Sequence, residues 1–313
     1  MRIIKIERTL SFMSMRLPAI FLSGFLVIAS LVSLAVNNLN WGLDFTGGTL
    51  IEVGYEQPAK LDSIREQLEK ADFADAIVQN FGSSHDVLIR IAPREGVKAS
   101  TIGDEVMGAL REDGSSVDMR RIEFVGPNVG DELAEKGGLA MLVALLCVMI
   151  YVAMRFEWRF ALGSVLALAH DVIITLGLFS FLQLEFDLTV LAAILAVIGY
   201  SINDTIVVFD RIRENFRKIR NTDPVEITNI SLTQTLNRTI ITSLTTMLVL
   251  VALFFKGGSL IHGFSTALLF GIFIGTYSSI YVASLLALAL GISREDLMPQ
   301  QVEKEGADLE PLP

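Results

Sequence analysis

Two acids and a base interrupt long apolar runs in this sequence. Asp171 follows His170 between Phe160 and Leu182, Asp204 sits in GYSINDTIVVFD, and Arg238 opens a further run. A carboxylate held away from water is disfavoured by about 2.5 kcal/mol or more unless it is protonated, hydrated or paired. A guanidinium keeps its proton and offers a forked hydrogen bond to an ionised acid. Asp204 and Arg238 are therefore read as a switch: they attract while the acid is charged and release each other when a proton arrives. Asp171, near mid-span, is read as a second functional acid, with His170, Thr239 and Thr242 as supporting polar groups. The blander alternatives are that Asp204 snorkels to the interface, and that His170 and Asp171 form a fixed hydrogen-bonded pair between helices.

These residues need spans to hold them. The chain has 313 residues, 52% apolar and 19% charged, which excludes an ordinary water-soluble surface. Apolar stretches at 18–36, 137–154, 160–182, 189–209, 238–255 and 263–290 are each long enough, or nearly so, to cross a hydrocarbon core of about 30 Å. The first is expected to remain attached, because 17–43 is uncharged and shows no small-residue cleavage pattern. His170 and Asp171 then lie about 15 Å from either end of the third span, and Asp204 lies about 9 Å inside Asp210, the expected cytoplasmic boundary. Tyr200 and Ser201 stand one turn from Asp204. On the fifth span Thr235, Arg238, Thr239, Thr242, Thr245 and Thr246 read as one polar stripe. On the sixth, Ala267, Gly271, Gly275, Ser279, Ala283 and Ala287 recur every fourth position, a ridge whose expected role is packing.

Charge sets the orientation. Arg2, Lys5, Arg8 and Arg16 precede the first span, Arg155 and Arg159 follow the second, and Arg211, Arg213, Arg217, Lys218 and Arg220 follow the fourth. With six crossings all three groups fall on one side, so the N-terminus 1–17, the basic loop 210–237 and the acidic tail 291–313 are expected in the cytoplasm. Residues 37–136 carry ten Lys/Arg against nineteen Asp/Glu and fall outside. That acidic surface argues against a nucleic-acid partner. Within it the pattern reads strand 48–55, helix 58–71 with Pro58 in its first turn, strands 75–82 and 85–91, helix 98–112 and strand 116–125. This is the β-α-β-β-α-β order of a ferredoxin-like α+β domain. WGLDFTGGT at 41–49 reads as a structural junction, its glycines permitting tight turns and Asp44 accepting from exposed amides. A lone Cys147 excludes an intrachain disulfide or thiolate cluster. His85 is read as a turn residue. No Walker pattern, catalytic triad or metal-ligand set stands out, so neither cofactor nor metal is expected, and the chain is read as no enzyme.

WGLDFTGGT (41–49), VGPNVG (125–130), ALAHD (167–171), IGYSINDTIVVFDRIREN (198–215) and TQTLNRTIITSLTT (233–246) together resemble the SecF family across the whole chain. The resemblance implies an RND-superfamily membrane fold: a multi-pass α-helical protein of six transmembrane helices with one periplasmic ferredoxin-like domain, in the bacterial inner membrane. It implies SecD, the SecYEG channel, YajC and a translocating preprotein as partners, besides membrane lipid. It further implies that proton-motive force promotes late export steps, with the family's proton-pathway acid and arginine falling on Asp204 and Arg238 and its HD motif on Asp171. Each charge moved through the field is worth about 2.3 kcal/mol per 100 mV, enough to bias a conformational equilibrium. Half of an RND-type proton-driven small-molecule or lipid exporter remains the alternative, and an intramembrane enzyme using Asp171 and Asp204 a more remote one.

Overall fold

The computed structural model describes residues 9–94, 99–112 and 116–292. Arg2, Lys5 and Arg8 and the acidic tail from 294 lie outside the described residues. After a 3-10 turn at Phe12–Met15 the chain forms α1 (Arg16–Asn37), β1 (Asn40–Trp41), α2 (Leu43–Thr46) and β2 (Gly48–Tyr55). It continues through α3 (Leu61–Lys70), β3 (Ile77–Phe81), β4 (Ser83–Ile91), α4 (Ala99–Arg111) and β5 (Val117–Val125). Then come α5 (Pro127–Arg155), α6 (Trp158–Leu182), β6 (Glu185–Phe186), α7 (Leu188–Lys218), α8 (Pro224–Lys256), α9 (Ser259–Ile280) and α10 (Val282–Ala289).

Among the described residues six helical spans are long and apolar enough to cross a membrane, α9 and α10 counting as one. The backbone stays nearly continuous there, since Tyr281 N–H donates to Tyr277 and Leu285 N–H to Tyr281. Apolar side chains on α1 and α5 face outward, with Phe21 75% and Met154 84% exposed, as lipid-facing surfaces require. α6 and α7 are interior, carrying buried Phe160, Phe179, Val190, Ile194, Val197 and Phe209.

The helices outrun the apolar stretches. α7 continues to Lys218 and α8 begins at Pro224, so the expected loop 210–237 is almost entirely helix, joined through 219–223. Apolar length sets where a helix leaves hydrocarbon; it does not end the helix. Glu214 bridges Arg211 at 2.6 Å and Lys218 at 2.5 Å, the three- and four-residue pairs that support a helix in water. The break comes at Asp223-Pro224, where Pro takes the first helical turn. α5 similarly starts at Pro127 directly after β5.

Residues 48–125 form a four-stranded sheet in the order β3-β4-β2-β5, antiparallel at each pairing. Alternation along the strands sends Ile51, Val53, Val87 and Ile89 towards Ile64 and Leu68 of α3 and Ile102, Val106 and Leu110 of α4, giving one sealed core. Each such side chain contributes about 1.5–3 kcal/mol. Pro58 precedes α3 instead of opening it: Ala59 N–H donates to Ser84 O at 2.8 Å, which holds the segment against the β3–β4 hairpin. Gly82 turns that hairpin at φ 74°, and His85 sits in β4 with Nδ1 3.3 Å from Tyr55 O.

Candidate functional site

The polar groups of the membrane bundle meet where α6, α7, α8 and α9 converge. Small residues on α9 make that approach possible. A Cβ added at Gly271 would collide with Val197, and one at Gly275 would lie 3.1 Å from Ser201 Oγ and 3.5 Å from Asp171 Oδ2. The every-fourth-residue ridge therefore does more than pack, because it lowers α9 onto both polar residues of its neighbours.

Asp171 is 1% exposed and saturated with partners. Its Oδ2 accepts from Ser201 Oγ and from Ser278 Oγ, both at 2.7 Å, and its Oδ1 lies 3.0 Å from His170 Nδ1. One acid thus ties three helices together. His170 Nε2 is buried and without a partner.

Asp204, one turn further along α7 from Ser201, is 3% exposed. Its Oδ2 has no hydrogen-bond partner. The Ser243 side chain interacts with the carboxylate; that hydroxyl is also 2.8 Å from Thr276 Oγ1. Next to it Thr205 Oγ1 and Ser279 Oγ are 2.9 Å apart. Thr239 is buried with its Oγ1 unpartnered, one helical turn before Ser243. Buried polar atoms without partners are uncommon; on the facing helices they include Asp204 Oδ2, Thr239 Oγ1 and His170 Nε2, and also Tyr200 Oη, one turn from Asp204 on α7.

Arg238 attracts Asp204 electrostatically, yet among the described residues no ion pair or hydrogen bond joins them. Arg238 is an exposed residue of α8. The expected single stripe is in fact two, because consecutive helical residues point about 100° apart. Thr235, Thr239 and Ser243 face the bundle, whereas Arg238 and Thr245 are exposed. Thr242 is half-buried and donates to the carbonyls of Arg238 and Thr239, both at 3.0 Å, so its hydroxyl serves its own helix. Sequence reading missed Ser243, Thr276 and Ser278. Ser243 was legible as the next inward position after Thr239, but Thr276 and Ser278, in a helix without charge, gave no comparable signal.

The family described as Protein export membrane protein SecD/SecF, C-terminal, matches residues 105–293, which include every one of these residues. The SecD/SecF GG motif matches residues 32–59. Protein translocase subunit SecF of Vibrio alginolyticus is 61% identical over 313 residues, covering 100% of this chain and 99% of its own. The chain belongs to the SecF family. Its relative in Escherichia coli O157:H7 is 55% identical over 92% of this chain and 90% of that one. Among solved structures, SecDF from Thermus thermophilus, described as a translocon-associated membrane protein, superposes with TM-score 0.83 at 37% identity over 91% of this chain. SecDF in a super-membrane-facing form gives 0.66 at 36% identity over 92%. The chain spans 39% of each SecDF chain, so the SecF-like portion of those larger proteins carries the similarity.

Proposed function

We propose that this chain works with SecD as an ion-driven accessory subunit of the Sec translocase, promoting late steps of preprotein export through SecYEG, with YajC in the same assembly. The observation that carries the reading is Asp204: a buried carboxylate with one oxygen unpartnered, in an apolar helix, close enough to Arg238 for attraction and not bonded to it. A proton taken up at Asp204 neutralises the charge that attracts Arg238, and α7 is then free to shift against α8. Arg238, exposed at membrane depth in the isolated chain, requires a covering partner, because a lone guanidinium facing lipid is costly. SecD supplies that cover in this reading.

In this reading both termini lie in the cytoplasm and residues 37–136, as a ferredoxin-like module, in the periplasm of a bacterial inner membrane; the positive residues at the helix ends support it. The chain acts by conformational work and not as an enzyme. The test is Asp204→Asn, assembled with SecD in energised vesicles. Ion-driven export is expected to fall about tenfold or more, since one charge per 100 mV carries about 2.3 kcal/mol. Undiminished export with intact assembly overturns the reading. Collapsing the pH and sodium gradients separately identifies the ion: loss on collapsing the pH gradient alone supports protons, and loss with sodium alone rejects them.

A further inference from the structure

The outer sheet and the helix that carries Asp204 are bound to each other at one compact joint. β1 and β6 pair in parallel, Asn40 with Glu185 and Trp41 with Phe186. Gly42 N–H donates to Phe186 O at 2.8 Å, an approach so close that a Cβ on Gly42 would lie 3.0 Å from Asp187 Cβ. Asp44 Oδ2 accepts from Leu188 N–H at 2.9 Å, beside the native cap in which Asp187 accepts from Val190 N–H at 2.8 Å. The α7 N-terminus is thus gripped by two carboxylates, one of them from a segment 144 residues distant. The ring of Phe45 stacks on Phe186 at 5.7 Å, and Trp41 meets Phe186 edge-on at 5.5 Å.

Leu43 packs this segment against Leu50 and Leu88 of the sheet, and a polar connection also reaches into the sheet. Arg90, on β4, donates from Nη1 to Trp41 O at 2.8 Å and pairs through Nη2 with Glu185. Both partners are largely covered, with side chains 13% and 26% exposed, so water screens the pair less than an exposed one. Arg90 also pairs with Leu50 of β2 and Ile77 of β3, so its strand is held on both sides at that end of the sheet.

We propose that the Arg90–Glu185 pair and the Asp44–Leu188 contact form the mechanical link through which displacement of α7 reaches the outer domain. The idea rests on the ion-coupling reading of Asp204. Leu188 and Asp204 are separated by about 24 Å of uninterrupted helix, a stiff rod whose two ends move together. At one end lies the unpartnered acid. At the other, three polar contacts (Gly42–Phe186, Asp44–Leu188 and Arg90–Glu185) and an aromatic cluster hold the α/β domain to the start of that helix and the strand just before it. Arg90 and Glu185 are positioning residues in this scheme, since neither lies at the ion site.

Charge reversal tests the link. In energised vesicles holding the chain assembled with SecD, Arg90→Glu and Glu185→Arg are each expected to lower ion-driven export about fivefold. Proton flux through the complex should stay within about twofold of the parent, because Asp204 and its surroundings are untouched. The double variant, which restores an opposite-charge pair, is expected to return export to within about twofold of the parent. Glu185→Gln keeps the side-chain volume and serves if a reversal assembles poorly; it should lower export about threefold with assembly and flux retained. Parent-level export from Glu185→Gln, or a double variant no better than the single reversals, overturns the link. A parallel Asp204→Asn arm separates the two ideas. If that variant loses export while Glu185→Gln does not, the link falls and ion coupling stands; if it exports normally, the ion-coupling reading itself falls.

Discussion

Asp171 and Asp204 are two buried carboxylates in one bundle, about one helical turn apart in level, and they are solvated in opposite ways. Asp171 receives two serine hydroxyls and a histidine ring, drawn from α6, α7 and α9. Asp204 keeps an oxygen with no partner, beside an arginine that faces out of the chain. An acid whose valences are filled by its own protein fastens helices. In the proposed reading, the acid with an unpartnered oxygen and a cation nearby is the one that changes state. Burial alone, which the two share, does not distinguish them; the count of donors within reach does.

The sharpest way to break this contrast is to remove both acids in turn. Asp171→Ala strands Ser201, Ser278 and His170, and is expected to destabilise the bundle by about 2–4 kcal/mol, read by thermal unfolding in detergent. Asp204→Asn should leave unfolding nearly unchanged while export collapses. If the two variants behave alike in both measurements, the distinction is wrong. Ser243→Ala comes next: it removes the hydroxyl acting on Asp204, so the pH profile of export is expected to move while the melting temperature does not. Ser278→Ala should do the reverse. It takes one of three donors from Asp171, costs about 1 kcal/mol by the same unfolding measurement, and leaves the export pH profile in place.

The smallest expected effect lies at Glu185, outside the spans. Burial raises its pKa above the usual 4.5, and Arg90 only partly opposes that shift. The folded state therefore binds this proton more tightly than the unfolded chain does. Its contribution to stability is complete below the ordinary carboxylate range and is lost as pH rises through the raised value. Parent and Glu185→Gln melting temperatures followed upward from acidic pH should diverge in that sense, the parent losing ground. Parallel curves would show that Arg90 compensates the burial fully.

Much of the architecture was legible because its signals are local. Six apolar runs become six spans, since a backbone in hydrocarbon must satisfy its hydrogen bonds within its own helix. The apolar runs at 48–55 and 85–91 fall in β2 and β4. The helix limits were less legible: apolar content stops near residue 209 but α7 runs on through charged turns to Lys218. Pro58 misled for a similar reason, its neighbour Ala59 being engaged by Ser84 across the hairpin.

By itself, then, the amino-acid order determined where the chain leaves water, which segment folds as a separate sheet-and-helix unit, and which few ionisable groups stand at depth, because each depends on side chains close together in sequence. Only tertiary structure decided that Thr239 and Ser243 turn inward while Arg238 turns out, that Ser278 completes the shell of Asp171, and that Arg90 reaches Glu185 over 95 residues. Those are questions of facing and distance between helices, settled by how closely the small residues of α9 let its neighbours approach.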